Sequence, residues 1–79
     1  MHVVYILQSL QDKSYYTGYT TGLEKRLGDH NDGLTPYTAG KKPFRLVWYC
    51  VFDDKLKALH FEKYLKSGSG FAFSRKRLV

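Results

Sequence analysis

The sequence predicts a small α/β domain of the α+β type, built from a β-hairpin, one further strand and helices. Two strand-like segments near the N-terminus are separated by a short polar turn, and the segment 44–52 is almost wholly apolar or aromatic. Helical spacing of apolar residues follows each of these strand regions. Because 79 residues supply one core, we expect a single domain over residues 1–79.

The hairpin pairs residues 3–7 with residues 15–20. The first segment, VVYIL, carries apolar side chains on both faces, which indicates a strand buried on both sides. Polar residues 11–14 supply the turn, and the β-branched and aromatic residues after them return antiparallel. We therefore expect Tyr5 and Tyr16 to lie near one another, although the turn that sets the register cannot be typed from the sequence.

The first helix is predicted to begin at Gly22. Residues 21–24, Thr-Gly-Leu-Glu, match a capping box, and residues 31–33 contain the Asn and Gly that end helices. Arg26 and His30 are four residues apart and share a face that borders a leucine stripe. We expect both side chains to lean toward the sheet.

Residues 32–43, with glycines, prolines and a lysine pair, predict a long loop, in which Tyr37 could stack on an unpaired base. The next segment, 44–52, is the strongest strand signal in the chain, since eight of its nine residues are apolar or aromatic. We expect this strand in the interior of the sheet.

The second helix is predicted to follow the acidic pair 53–54, which suits the positive end of its dipole, and to run to about residue 66. Its apolar face carries Ala58, Phe61 and Leu65. Glu62 lies at the edge of that face. Residues 67–70, Ser-Gly-Ser-Gly, predict a flexible joint. A short basic helix over 71–79 is expected to follow, anchored by Phe71, Phe73 and Leu78.

The charge balance favours a polyanionic partner. Thirteen Lys and Arg against seven Asp and Glu give a net charge of +6, which points to nucleic acid first and an anionic membrane second. Eight basic residues are candidates to track phosphates, with a solvated surface as the alternative. They are Lys41, Lys42, Arg45, Lys63, Lys66, Arg75, Lys76 and Arg77.

Cysteine content and hydropathy limit the class further. Cys50 is the single cysteine, which excludes an intramolecular disulfide and a multi-cysteine zinc site. The apolar run at residues 3–7 is too short for a membrane span and lacks the layout of a secretory signal. We therefore expect a cytoplasmic protein.

Tyr5, Tyr16, Arg26, His30 and Glu62 are predicted to face a shared sheet surface, and such a set suits phosphodiester hydrolysis. Glu62 could hold a hard divalent cation whose other ligands are water and substrate phosphate. Arg26 could neutralise charge on the phosphoryl oxygens. A tyrosine can relay the proton of an attacking water if its pKa is lowered, and His30 could assist it or accept the proton itself.

The order and spacing of these five residues resemble the GIY-YIG nuclease superfamily over nearly the whole chain. Tyr5 is followed after ten residues by Tyr16-Thr17-Gly18, then by Arg26 and His30 on one helix and Glu62 on a later one. The likeness is to the small standalone bacterial branch, which is similar to the N-terminal catalytic domain of the excision-repair endonuclease and to Slx-type nucleases.

The resemblance implies a three-stranded antiparallel sheet flanked by helices and metal-dependent cleavage of DNA with one Mg²⁺ or Mn²⁺. It assigns Tyr5 as a general base, Tyr16 as the residue that orients water or phosphate, and Arg26 as the transition-state stabiliser. His30 matches a histidine found in several branches, and Glu62 matches the metal ligand. Branched or nicked DNA is the expected substrate, and a partner protein is expected to supply targeting.

The sequence departs from the family pattern at three places. Val3 stands where the family has glycine and Thr17 where it has isoleucine, both backbone or packing positions. Residues 71–79 contain no Asn or Gln, where many members carry an amide, and Ser74 or Arg75 is the candidate substitute.

Two other functional classes stay open at this level. Each of the five site residues taken singly has an ordinary explanation: a core or rim aromatic for the tyrosines, a solvated helix residue for Arg26 and His30, and an exposed ion-pair partner of Lys63 or Lys66 for Glu62. A non-catalytic nucleic-acid-binding module of the same fold is the main alternative, and an aromatic protein-interaction adaptor is the weaker one. The oligomeric state and the choice between DNA and RNA are not determined by the sequence.

Overall fold

The computed structural model describes residues 1–34 and 38–79. In chain order its elements are β1 His2–Ser9, β2 Tyr15–Thr20, α1 Leu23–Asn31, a single 3₁₀ turn Ala39–Lys41, β3 Phe44–Phe52, α2 Lys55–Lys66 and α3 Gly68–Arg77. The predicted fold class is confirmed. Tyr37, the loop aromatic singled out above, lies outside the described residues.

The described strands form a three-stranded antiparallel sheet in the order β2-β1-β3, so β1 is central. In the register, Tyr5 lies opposite Gly18 on β2 and opposite Tyr49 on β3. The prediction that β3 is interior is wrong, because it forms an edge. Tyr49 and Val51 share the sheet face of their β1 partners and are 52% and 47% exposed. An apolar run thus predicts a strand, but it does not show whether that strand lies at the centre or at the edge of the sheet.

Apolar side chains pack on both faces of β1, as predicted. On one face Val3, Tyr5 and Leu7 join Phe44 and are covered by the leucines of α1. On the other face Val4 and Ile6 pack against residues of α2, namely Ala58 and Leu65. The central strand is therefore shared by two layers of helix.

The start of α1 differs from its prediction by one residue. Gly22 is the N-cap, and no side chain of the described residues caps it, so the capping box over 21–24 does not form. Instead the Thr20 hydroxyl accepts a hydrogen bond from the Gly22 amide at 3.0 Å, fixing the exit of the chain from β2. The helix ends as predicted, with Gly33 at φ +75°.

The second helix keeps its predicted bounds and cap. The Asp54 side chain accepts a hydrogen bond from the Lys57 amide at 3.1 Å, which satisfies one of the free N–H groups of the first turn. Lys66 is the last residue of α2.

The prediction of a flexible joint over 67–70 is wrong, because α3 begins at Gly68 directly after Ser67. The Ser67 hydroxyl caps the Gly70 amide, and a Cβ at Gly70 would collide with the backbone carbonyl of Tyr64. This glycine serves close packing of α2 and α3, and not flexibility.

The anchors of α3 also differ from prediction. Phe71 and Phe73 are 51% and 38% exposed, whereas Gly70 and Ser74 are buried. Leu78 packs against the α2 side of the core, as expected. In residues 1–34 and 38–79, no helix has the length and apolar content needed to cross a membrane.

Candidate active site

Tyr5 and His30 form the centre of the site. Their side chains are 1% and 0% exposed, and the Tyr5 hydroxyl lies 2.9 Å from His30 Nε2, within hydrogen-bond distance. Strand β1 supplies Tyr5 and the last turn of α1 supplies His30. A buried phenol and a buried imidazole thus satisfy each other where α1 crosses the sheet.

Gly18 makes room for this contact. It is the cross-strand neighbour of Tyr5, and a Cβ built on it would overlap the hydroxyl end of the Tyr5 ring. The Tyr5 ring therefore lies across the bare backbone of β2 before it reaches His30. This is a close approach that glycine alone allows.

Tyr16 adds a third ring to the cluster. It lies two residues before Gly18 on β2, and its ring centroid is 5.0 Å from that of His30 and 6.4 Å from that of Tyr5. Phe44, at the start of β3, closes the far side of the imidazole with its centroid 5.9 Å away. The β1–β2 register thus brings Tyr5 and Tyr16 close together, as predicted.

Thr38 fixes the other nitrogen of His30. Its hydroxyl lies 2.7 Å from Nδ1, and the threonine is 1% exposed. Burial lowers the pKa of His30, the positive charge of Arg26 lowers it further, and Asp29 opposes them. The imidazole is therefore held neutral at pH 7, with both nitrogens hydrogen-bonded.

Arg26 and Glu62 bring opposite charges to the Tyr5 phenol. Burial raises the pKa of Tyr5 above its ordinary value, and the neighbouring Tyr16 adds to the rise. The charge of Arg26 lowers that pKa, while the charge of Glu62 raises it. The two charges thus act on the phenol from different helices, Arg26 from α1 and Glu62 from α2.

Lys66 contacts two of the predicted site residues, although the sequence marked it only as a basic surface residue and as a possible ion-pair partner of Glu62. Its Nζ lies 3.0 Å from Glu62 Oε2 and 5.9 Å from the centroid of the Tyr16 ring. The lysine thus links α2 to β2. Its side chain is half-exposed, whereas the Glu62 side chain is 19% exposed.

The donor set around Glu62 fits a hard cation held by one carboxylate. Lys66 engages Oε2, and Oε1 has no hydrogen bond within the described part of the chain. Among those same residues, no three His, Cys, Asp or Glu side chains converge. Water and substrate phosphate would therefore supply the remaining ligands, an arrangement that Mg²⁺ tolerates well.

The other candidate phosphate-binding residues fall in two parts of the fold. Lys41, Lys42 and Arg45 lie around the end of β1, where Lys41 Nζ pairs with Asp12 at 3.5 Å and Arg45 donates to Gln8 at 3.1 Å. The rest are carried by the two C-terminal helices: Lys63 and Lys66 on α2, and Arg75, Lys76 and Arg77 on α3.

The two candidate substitutes for the missing amide differ in availability. Ser74 is buried and its hydroxyl donates to the Phe71 carbonyl at 2.9 Å. Arg75 is exposed, and its guanidinium carbon lies 5.0 Å from the Tyr15 ring centroid. Of the two, Arg75 is therefore the residue that is accessible to bind a phosphate.

Sequence reasoning missed three features of the site. The spatial role of Gly18 follows from the cross-strand register, which the turn left undetermined. Thr38 sits in an irregular loop with no periodicity to mark it. Lys66 follows Glu62 by four residues, a spacing that pairs charges on a helix, and this signal could have drawn it into the site.

Comparison with known proteins agrees with the geometry. The family model for the GIY-YIG catalytic domain matches residues 1–76. The UPF0213 protein CPE1444 of Clostridium perfringens is 45% identical over 67 residues, covering 84% of this chain and 71% of the relative. The UPF0213 protein NP_0776A of Natronomonas pharaonis is 43% identical over 79 residues, covering 99% and 89%.

A solved structure supports the same placement. The solution NMR structure of the UPF0213 protein BH0048 from Bacillus halodurans superposes with a TM-score of 0.58 at 37% identity. The match covers 98% of this chain and 85% of that one. The chain therefore belongs to the GIY-YIG family, a nuclease superfamily, and to the UPF0213 proteins within it.

Proposed function

We propose that this protein is a metal-dependent endonuclease that hydrolyses DNA phosphodiester bonds and selects its substrate by structure, acting on branched or nicked DNA. The observation that supports it is the convergence of Tyr5, Tyr16 and His30 with the charges of Arg26 and Glu62. An acceptor for a proton, a cation for phosphate and a carboxylate for a metal are the parts that phosphodiester hydrolysis needs.

The Tyr5–His30 pair supports a proton relay. Burial raises the pKa of Tyr5, so a free phenolate is disfavoured and the tyrosine alone is a poor base. If His30 Nδ1–H donates to Thr38, Nε2 is left as an acceptor for the Tyr5 proton. As the water oxygen bonds to phosphorus and the bond from phosphorus to the leaving oxygen breaks, the water gives its proton to the Tyr5 oxygen while the phenol passes its own to His30. The imidazole is left protonated, and the leaving oxygen takes its proton from solvent water.

Positive charge meets the phosphate from two helices. Lys66 on α2 lies over the Tyr16 ring, and the charge of Arg26 on α1 acts on the Tyr5 phenol. Both would neutralise the charge that develops on the phosphoryl oxygens. The Tyr16 ring is next to both His30 and Lys66, so its hydroxyl is suited to orient the water or a phosphate oxygen. Side chains that hold the water and the phosphate in a fixed orientation also raise the reaction rate, in addition to the effect of their charge.

Glu62 is the residue that would hold the metal. A Mg²⁺ or Mn²⁺ ion bound there supplies Lewis-acid polarisation of the phosphate. Lys66 neutralises the same carboxylate in the free protein, and substrate phosphates offer the lysine an alternative anion. We therefore expect Lys66 to exchange Glu62 for phosphate when DNA binds.

The alternative is a DNA-binding module without turnover. Two observations favour it: the pKa of Tyr5 is raised rather than lowered, and Glu62 is already paired with Lys66. Under this alternative, the basic residues bind phosphates with a strong dependence on salt, and the tyrosine cluster serves packing.

A labelled panel of duplex, nicked, flap, fork and four-way-junction DNA with Mg²⁺ or Mn²⁺ tests the proposal. We expect cleavage of at least one branched or nicked form, and loss of about 100-fold or more in Glu62→Gln. Glu24→Gln is the matched control, because Glu24 is exposed in the first turn of α1 and its loss removes the same charge.

Cleavage that needs the metal and Glu62, with full activity in Glu24→Gln, would support the nuclease. Firm, salt-sensitive binding of every DNA with no cleavage under either metal would overturn it in favour of the binding module. Equal cleavage by wild type and Glu62→Gln would place the activity at another site or in a contaminant.

A further inference from the structure

A groove opens beside the tyrosine cluster and extends away from it between β2 and the two C-terminal helices. Its volume is about 560 Å³, within the range of small-ligand pockets. Its lining includes Tyr16 and Lys66 of the candidate site together with Tyr15, Phe71 and Ser74. The groove is therefore continuous with the site at which a phosphate would be cleaved.

Two aromatic rings of the groove lining, Tyr15 and Phe71, have a cation beside them. Arg75 places its guanidinium carbon 5.0 Å from the Tyr15 ring centroid and 5.6 Å from the Phe71 ring centroid. Phe71 is 51% exposed, which is high for a phenylalanine in a small domain. The buried residues of α3 are Gly70 and Ser74, so Phe71 is not one of the residues that anchor this helix.

We propose that Tyr15, Phe71 and Arg75 form a stacking site for one unpaired nucleobase, next to the phosphate held at Tyr16 and Lys66. This inference rests on the proposed nuclease function. Aromatic faces together with arginine are how proteins hold single-stranded bases without reading their sequence. In the free protein the Arg75 side chain covers the two rings, and it moves aside or stacks on the outer face of an entering base.

The chemistry of the groove selects against intact duplex. A paired base has both faces stacked on neighbours inside the helix, so its ring reaches Tyr15 only where pairing is absent. Lys66 links the groove to the candidate site, because it contacts the Tyr16 ring and lines the groove. The substrate class is thus DNA in which an unpaired nucleotide adjoins the cleaved phosphate, such as a flap or a fork.

Equilibrium binding of a flap duplex without divalent metal tests the stacking site, with 2-aminopurine or an abasic residue at the first unpaired position. Phe71→Ala should weaken binding of the flap with a base by about 5- to 100-fold and relieve the fluorescence quenching of 2-aminopurine. Phe73→Ala is the matched control: it removes an exposed ring from the same helix, outside the groove lining, and should leave binding unchanged.

The abasic flap separates stacking from phosphate contact. Wild type should bind it at least as weakly as Phe71→Ala binds the intact flap, because Tyr15 and Arg75 lose the base as well. Phe71→Ala should cause no further loss on the abasic flap. Arg75→Ala should reduce the preference for the base, whereas Arg77→Ala, which removes the same charge near the end of the same helix, should weaken both flaps equally. Circular dichroism checks that each variant is folded.

The stacking site and the nuclease can fail separately. Base-dependent binding that is lost in Phe71→Ala, in a protein that cleaves nothing, would support the stacking site and overturn the nuclease. Cleavage of flap DNA with equal binding by wild type, Phe71→Ala and Phe73→Ala would leave the nuclease standing and overturn the stacking site. Absence of flap binding at low salt would overturn the stacking site as well.

Discussion

Alternate residues of strand β1 lie on opposite faces of the sheet, and the two faces differ in what they pack against. Toward α2, Val4 and Ile6 pack in an apolar layer with Ala58 and Leu65. Toward α1, Tyr5 brings a hydroxyl into the interior and needs the buried His30 to satisfy it. Both faces bury apolar side chains, but only the face toward α1 also buries the polar pair at the centre of the candidate site. The comparison teaches that one face of the central strand is apolar packing alone, whereas the other combines packing with a buried hydrogen bond.

Truncation on the α2 face should have the largest effect on stability. Ile6 is 1% exposed, and Ile6→Ala is expected to lower the free energy of unfolding by about 2–5 kcal/mol, through lost transfer energy and the cavity it leaves. Urea denaturation measures the change. Cleavage per folded molecule should fall far less than in the site variants below, because Ile6 borders the groove but brings no polar group to the site. A loss of activity in the folded fraction as large as that of the site variants would contradict this difference between the faces.

Substitution at Gly18 should damage the α1 face with a smaller loss of stability. In Gly18→Ala the new methyl group displaces the Tyr5 ring from His30, which we expect to cost about 1–3 kcal/mol and to lower the cleavage rate by about 100-fold. Gly28→Ala is the matched control, because a Cβ there meets nothing within 4 Å. In the helix it should leave stability equal or up to about 1 kcal/mol higher. Equal activity of the two variants would contradict the close approach of Tyr5.

Thr38 should act through His30. Thr38→Val removes the hydroxyl at Nδ1, leaves a buried polar nitrogen without that hydrogen bond, and is expected to cost about 1–3 kcal/mol of stability and about 10-fold in cleavage rate. Thr38→Ser, which keeps the hydroxyl, should restore the cleavage rate. Cleavage kinetics and thermal unfolding of both variants measure the effect, and identical kinetics in the two would remove Thr38 from the site.

The dependence of kcat/KM on pH should show that the His30 imidazole is neutral in the active protein. Because the pKa of His30 is lowered, kcat/KM should fall with decreasing pH along a limb whose midpoint lies below the ordinary value of about 6.5. The folded state disfavours the charged ring, so the free energy of unfolding should also fall as the pH drops from about 6.5 through that lowered pKa. Circular dichroism at each pH separates the two effects. A limb above pH 6.5 would contradict a buried neutral His30.

Local sequence patterns predicted most elements, whereas long-range packing decided the rest. The alternation in residues 3–7 and the acidic cap at Asp54 act within a few residues, so β1, β2 and α2 were predictable. The edge position of β3 depends on which strands pair, which its own residues do not specify. Gly70 looked like a joint because its contact with the Tyr64 carbonyl is invisible without the packed helices.

The candidate site shows the same division. Tyr5, Tyr16, Arg26, His30 and Glu62 were found together because their order and spacing match a known family, and each alone was ambiguous. The Tyr5–His30 hydrogen bond, the Thr38 partner and the place of Lys66 over the Tyr16 ring required the fold. The roles of these residues in catalysis stay predictions until cleavage is measured.

The most direct test of the central claim compares two tyrosines that face each other across β1 and β3. Tyr5 is buried against His30, whereas its partner Tyr49 is 52% exposed on the same face of the sheet. Single-turnover cleavage of flap DNA with Mg²⁺ should fall by about 100-fold or more in folded Tyr5→Phe and stay unchanged in Tyr49→Phe. Full cleavage by folded Tyr5→Phe would contradict the claim that this buried phenol carries the chemistry.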